Sequence, residues 1–378
     1  MLIKNCNIIF LDRIEKGSVL VENGKIKEIN PKNVQETEVI DAEGMYLSPG
    51  FIDVHIHGAG GHDTMDGTYE AINEIAKTIC KFGTTSFTPT TMTVAVEDIR
   101  KSMGVIKEAK INGTDGANVL GAHLEGPFIS PSAIGAQNPN FLEAPSIDTY
   151  NKMVGDCDDA VVSITIAPEV EGAKELIKYL SDKGIVCSIG HTKATYEEAI
   201  DGIKCGCSHS THLFNAMTPF THRAPGVVGA TFDSDITTET ISDGIHIAYP
   251  ALRVAYKQKG TDKVLLITDA MMACGMPNGI YSLGGQEVNV ENGAARIKSG
   301  SLAGSILTLD KAVKNVYNNS DYPLNEVVKM ASYNGAKHCK VEDRKGLIKE
   351  GYDADLVIFD EDINVKKVIV NGKLVHEA

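Results

Sequence analysis

Eight short apolar runs punctuate the middle of the chain, and between them the apolar spacing changes from every second residue to every third or fourth. The runs begin with Phe51-Ile-Asp-Val-His-Ile-His-Gly58 and continue as Thr84-Thr-Ser-Phe87, Asn118-Val-Leu-Gly-Ala-His-Leu124, Val161-Val-Ser-Ile-Thr-Ile166 and Ile185-Val-Cys-Ser-Ile189. Ser208-His-Ser-Thr-His212, Thr238-Glu-Thr-Ile-Ser242 and Val264-Leu-Leu-Ile-Thr268 complete the set. Short apolar strands alternating with helices specify βα units and a parallel sheet, because a parallel strand needs a crossover and is covered on both faces. The helical spacing is plain at 68–82, where Ala71, Ile72, Ile75, Ala76 and Ile79 share one face. A helix start is equally plain at Thr195, three residues before Glu198, the pattern of a capping box.

Several runs end in a residue able to bind metal or carry protons: His57, Glu125, His191, His212, His246 and Asp269. An open sheet gathers its chemistry at one switch point, whereas here it recurs at the carboxyl end of strand after strand. That distribution predicts a (β/α)8 TIM-type barrel. There is no GxxxxGK[ST] loop and no GxGxxG after a strand, so nucleotide-binding folds lose support.

Both ends of the chain read differently. Residues 2–10 and 17–29 are rich in Ile, Val and Leu, with a tight Asn23-Gly24 turn, and the far end repeats the signature around Asn371-Gly372. Neither end buries a core alone. Residues 1–50 and 351–378 are therefore expected to pair into one small β-sandwich domain, with 51–350 forming the barrel between them. Glycine-rich hairpin patterns near 275–300 predict a β insertion after the eighth strand.

Composition excludes several classes of function. A formal net charge of −14 argues against nucleic acid, whose phosphates need concentrated Lys and Arg. The start of the chain lacks the basic, apolar and small-residue regions of a secretory signal, and no apolar run spans a membrane, so a cytoplasmic protein is expected. The eight cysteines are scattered, and Cys205-Gly-Cys207 has no matching second pair, so neither a disulfide framework nor a cysteine metal site is indicated.

The chemistry lies in the strand ends. His55 and His57, at i and i+2, share one face of their strand and can approach one ion, although an edge strand could carry two solvated histidines. Glu125, His191 and His212 supply two histidines and one carboxylate, a common catalytic zinc set that leaves a position open for water. Singly, Glu125 could cap a turn and Asp269 could cap the next helix. Jointly, several His and Glu side chains at one barrel mouth would bury unpaired polarity without an ion. Asp269 then suits a general acid and base beside a metal, which lowers the pKa of its bound water to ~7.

Seven segments carry a family resemblance: His55-Ile-His57, His123-Leu-Glu-Gly-Pro127, Ile189-Gly-His-Thr192, His212-Leu-Phe-Asn-Ala-Met217, Asp243-Gly-Ile-His246, Thr268-Asp-Ala270 and Leu302-Ala-Gly-Ser305. Together they resemble the N-acetylglucosamine-6-phosphate deacetylases of the amidohydrolase superfamily, almost end to end. The resemblance implies hydrolysis of a linear amide, in amino-sugar catabolism, dependent on Zn2+ or Fe2+. It also implies a phosphorylated amino-sugar substrate and a homodimer. Glu125, His191 and His212 match the family's primary metal ligands, and Asp269 its proton-carrying carboxylate, acting with hydroxide on the ion. The retained His55 and His57 offer a second ion a place, with Glu125 as bridge. Ala136, Gln137, Asn215, Ala216, Arg223, His246, Leu302, Ala303 and Gly304 fall where the family contacts the sugar phosphate. An arginine such as Arg223 suits a phosphate clamp, being a permanently charged fork. Some members place a histidine where this chain has Gln137, and an amide cannot titrate near neutral pH, so no acid–base role is expected there. Two rival functions are a cyclic amidase or deaminase of the same superfamily and a metal-free barrel serving as a binding module.

Overall fold

The computed structural model describes residues 1–34 and 37–378. Each of the eight apolar runs is a strand: Phe51–Ile56, Thr84–Pro89, Asn118–Val119 continued by Ala122–Glu125, Val161–Ile166, Val186–Ile189, Cys207–Ser210, Thr237–Ile241 and Val264–Ile267. Every neighbouring pair is parallel. The ladders form two arcs of three and six strands, and bridges from Thr90 to His123 and from Ile56 to Ala270 close them into a ring. Phe51–Ile56, Thr84–Pro89 and Val264–Ile267 are buried at every position. One set of side chains fills the barrel while the other meets the helices, which is why these runs carry no polar alternation.

The third run, Asn118–Leu124, is broken into two strand segments. Gly121 sits between its halves at φ 142°, and a Cβ there would lie 2.4 Å from the carbonyl oxygen of Ala160. Only glycine allows that close approach. The helix expected at 68–82 spans Tyr69–Cys80, with Thr68 accepting from the N–H of Ala71. The helix after Thr195 spans Tyr196–Cys205 and has both bonds of the capping box with Glu198.

Strands from both ends of the chain form one continuous eight-stranded sheet, in which Tyr46–Pro49 joins Leu2–Ile9 to Leu356–Phe359. The sheet folds back on itself, since the N–H of Ile26 donates to Tyr352 O and the N–H of Gly351 donates to Ile26 O. Its core holds Ile3, Ile8, Val19, Ile26, Leu356, Ile358 and Ile369. Period-two alternation sends Val357 and Phe359 the other way, into the barrel's core. The insertion after the eighth strand is a three-stranded antiparallel sheet, Gly279–Leu283, Gln286–Glu291 and Ala294–Ile297. Its buried face, with Leu283 and Val288, packs on Met92 and Met271 near the strand ends. Among the described residues no helix is long and apolar enough to cross a membrane.

Candidate active site

The ends of five barrel strands deliver side chains to one point. Glu125 closes the third strand, His55 lies within the first and His57 just beyond it, while His191, His212 and Asp269 each lie two residues past a strand. His191, His212 and Asp269 adopt left-handed backbone, with φ of 46°, 28° and 49°, as do Phe214 and Ala216 in the turn that follows His212. Such backbone is costly for residues with a Cβ and is held in place by its surroundings. Here the holding bonds are visible. The N–H of Asp269 donates to His55 O at 2.9 Å, its carbonyl accepts from Ser305 N at 2.7 Å, and the N–H of His212 donates to Glu239 Oε2 at 3.0 Å. No helix begins at Asp269; the next regular element starts at Gly279.

Glu125 is the centre of the arrangement. Its Oε1 lies 3.0 Å from His212 Nε2, 3.2 Å from His191 Nε2 and 3.4 Å from His55 Nε2, and its Oε2 lies 3.2 Å from His57 Nε2. Asp269 Oδ1 stands 3.2 Å from His57 Nε2 and 3.5 Å from His55 Nε2. All these residues are buried. Burial alone would raise the Glu125 carboxyl, but His55, His191 and His212 hold it well below its ordinary range. Asp269 is likewise lowered, with His55 and His57 outweighing its burial.

The donor set fits a metal ion. His191 Nδ1 faces Ala133 O at 2.9 Å, His57 Nδ1 faces Thr90 O at 3.2 Å, and His55 Nδ1 faces Glu239 Oε2 at 3.0 Å. Each acceptor fixes the proton of the neutral ring on Nδ1 and leaves a lone pair on Nε2. Those lone pairs point at carboxylate oxygens, and His191 Nε2 and His212 Nε2 lie 3.2 Å from each other. Acceptors facing acceptors in a buried site repel unless a cation sits among them. His55 Nε2 has no hydrogen-bond partner. Three groups have ligand atoms mutually within 4.8 Å: Glu125, His191 and His212; His55, His57 and Glu125; and, beneath them, His55, His123 and Glu239.

A cavity of about 260 Å3 opens onto this centre, lined by His57, Glu125, His191, His212 and Asp269. Ala136, Gln137, Asn215, Ala216, His246, Leu302 and Gly304 also line it, while Ala303 is fully buried behind the wall. His246 Nδ1 donates to Asp243 Oδ2 at 2.7 Å. Arg223 is not among the lining residues: it is exposed on the 219–224 loop, where the N–H of Thr221 donates to Ala224 O. A larger cavity, about 450 Å3, lies near the strand starts among Lys110, Lys340 and Arg344. It holds none of the Glu125 centre, so chemistry rather than volume selects the site.

Sequence reasoning passed over three contributors. Met92 and Leu283 form apolar cavity wall, one from the loop after the second strand and one from the insertion. Glu239 sits beneath the centre, against His55, His209 and the backbone of His212. Its signal was available, since a carboxylate inside an otherwise uncharged strand run must find buried partners.

Comparison with known proteins gives concordant results. The model of the amidohydrolase family matches residues 46–375. The N-acetylglucosamine-6-phosphate deacetylase of Lysinibacillus sphaericus is 40% identical over 377 residues, covering 99% of this chain and 97% of that protein. The N-acetylgalactosamine-6-phosphate deacetylase of Escherichia coli O157:H7 is 34% identical, covering 96% of this chain and 95% of its own length. The crystal structure of N-acetylglucosamine-6-phosphate deacetylase from Pasteurella multocida superposes with a TM-score of 0.94 at 34% identity, covering 100% of this chain and 99% of that one.

Proposed function

The chain belongs to the amidohydrolase family, and on that premise we propose that it hydrolyses N-acetylglucosamine 6-phosphate to glucosamine 6-phosphate and acetate, in amino-sugar catabolism. The carrying observation is the convergence of four imidazole Nε2 atoms on the two oxygens of Glu125, with Asp269 alongside. Glu125, His191 and His212 would hold one divalent ion, Zn2+ or Fe2+, and His55 with His57 would offer a second ion a place that shares Glu125. A bound ion of this kind polarises the amide carbonyl as a Lewis acid and makes water acidic near neutral pH.

The chain's own groups supply the rest. Asp269 lines the cavity with its Oδ1 3.2 Å from His57 Nε2, so its carboxylate is placed to accept a proton from the attacking water. The same carboxyl then returns that proton to the sugar nitrogen as the C–N bond breaks, and the released amine leaves neutral before it takes up a further proton. Met92 and Leu283 give the acetamide an apolar wall. Asp243 orients His246 at Nδ1 and leaves Nε2 as that ring's remaining polar atom for the sugar phosphate. Asn215, Ala216, Ala136, Leu302 and Gly304 line the remaining space.

The test is acetate release from N-acetylglucosamine 6-phosphate, its unphosphorylated parent and N-acetylgalactosamine 6-phosphate, in the presence of Zn2+ or Fe2+. The first should be fastest. Arg223 as phosphate clamp is supported by the family resemblance alone, since this chain leaves it exposed; Arg223→Ala should narrow the gap between phosphorylated and free sugar if it acts there. The homodimer rests on the same resemblance, and sedimentation of the purified protein tests it.

A further inference from the structure

Beneath the metal centre lies a second buried carboxylate to which the hydrolysis above gives no task. Glu239 is 1% exposed, and His55 and His209 are fully buried. Its Oε2 accepts from His55 Nδ1 at 3.0 Å and from the backbone N–H of His212 at 3.0 Å. Its Oε1 stands 3.2 Å from His209 Nε2, and His209 Nδ1 stands 2.6 Å from Thr237 Oγ1. The carboxylate is therefore pinned from three sides and cannot rotate without breaking a buried hydrogen bond. An imidazole held at Nδ1 by such an anchor can aim its Nε2 in only one direction. For His55 that direction is toward Glu125 Oε1 at 3.4 Å and Asp269 Oδ1 at 3.5 Å. The aimed atom is itself buried and without a hydrogen-bond partner.

We propose that Glu239 is a positioning residue of the metal centre: by holding His55 at Nδ1 it keeps His55 Nε2 on Glu125 and sets the affinity for the ion that His55 helps to bind. This rests on the reading that His55, His57 and Glu125 receive an ion. Partners that orient a metal-binding histidine through its other nitrogen typically change metal affinity by about 10- to 100-fold when removed. A carboxylate that merely filled the barrel interior would act whether or not His55 were present. The two roles therefore differ in a double-mutant cycle.

The experiment measures Zn2+ content and competition against a chelator for the full chain, Glu239→Gln, His55→Ala and the double variant. Glutamine keeps the shape and an oxygen acceptor but removes the charge. Glu239→Gln should weaken retention of the His55 ion by about 10- to 100-fold, and in the His55→Ala background the same change should alter affinity by less than about twofold. Equal losses in both backgrounds overturn the proposal. If His55→Ala leaves Zn2+ uptake unchanged, the proposal falls while the Glu125, His191 and His212 site stands. If the unsubstituted chain takes up no Zn2+, the metal reading itself fails. Should Glu239→Gln not fold, Glu239→Asp, which keeps the charge but draws it back by one methylene, is read in the same cycle.

Discussion

Gln137 donates its side-chain N–H to Glu125 Oε2 at 2.6 Å while its own Oε1 accepts the backbone N–H of Thr93 at 2.7 Å. Both ends of the amide are engaged, so the residue steadies the carboxylate on which four histidines converge. Gln137→Leu removes the donor at similar bulk and leaves Thr93 N without its acceptor. Zn2+ affinity and kcat/KM should each fall by about 10- to 100-fold, as for other partners of a ligand, while KM changes little. Chelator competition and steady-state kinetics on one preparation check both.

The two triads that share Glu125 should not be equal. Glu125 Oε1 is 3.0 Å from His212 Nε2 and 3.2 Å from His191 Nε2, closer than its 3.4 Å from His55 Nε2. His191→Ala or His212→Ala should abolish retention of the tighter ion and lower kcat/KM by more than the about 10- to 100-fold ascribed to a ligand's partner. His55→Ala/His57→Ala should retain about one ion per chain and lose less activity. Elemental analysis of each variant after dialysis is the measurement, and equal inactivity with equal metal loss would sink the ranking.

Much of the fold was legible because its signals are local. A parallel strand covered on both faces is an unbroken apolar run, and Thr195 with Glu198 marks a helix start through bonds made within one turn. The candidate site was legible for a related reason, since a barrel places every strand's carboxyl end at one mouth, and Glu125 closes a strand while His191, His212 and Asp269 follow one. The unread features depend on closure of the ring. Glu239 meets His55 across 184 positions of sequence, and Leu283 reaches the cavity only because the insertion folds back over Met92. Gln137, expected among the sugar contacts, lines the cavity and also donates to Glu125, a pairing that no periodicity encodes. The two ends of the chain are expected to pair, but the strand that joins them, Tyr46–Pro49, carries no signal of its own in the sequence.

Asp269 should be separable from the metal. Its Oδ1 is 3.2 Å from His57 Nε2, but its backbone is held independently through His55 O and Ser305 N. Asp269→Asn keeps shape and removes the proton-carrying function. We expect kcat to fall by about 10²- to 10⁴-fold, the range of general acid–base catalysis, with metal content unchanged. Near-normal turnover by metal-replete Asp269→Asn would show that another group moves the proton.

Far from the site, Asp353 ties the terminal sheet to the barrel and should make stability depend on acid. Its Oδ1 accepts from Lys25 Nζ at 2.5 Å, and its Oδ2 accepts from Arg344 at 2.6 Å and lies 3.0 Å from Lys345 Nζ. Burial pushes the carboxyl up, but Lys25, Lys345 and Arg344 bring it down to about 2. An unfolded aspartate titrates near 4. The folded state therefore binds its proton less readily, and the stabilisation is fully present above about pH 4 and lost as the pH falls through about 2. Allowing for screening at the half-exposed Lys25 and Arg344, it amounts to about 1–2 kcal/mol at neutral pH. Asp353→Asn should lower stability by that amount at pH 7, and the gap from the unsubstituted chain should shrink steadily between pH 4 and pH 2. Urea midpoints at several pH values measure it. A gap that stays constant across that window would mean that Asp353 contributes through packing and not through its charge.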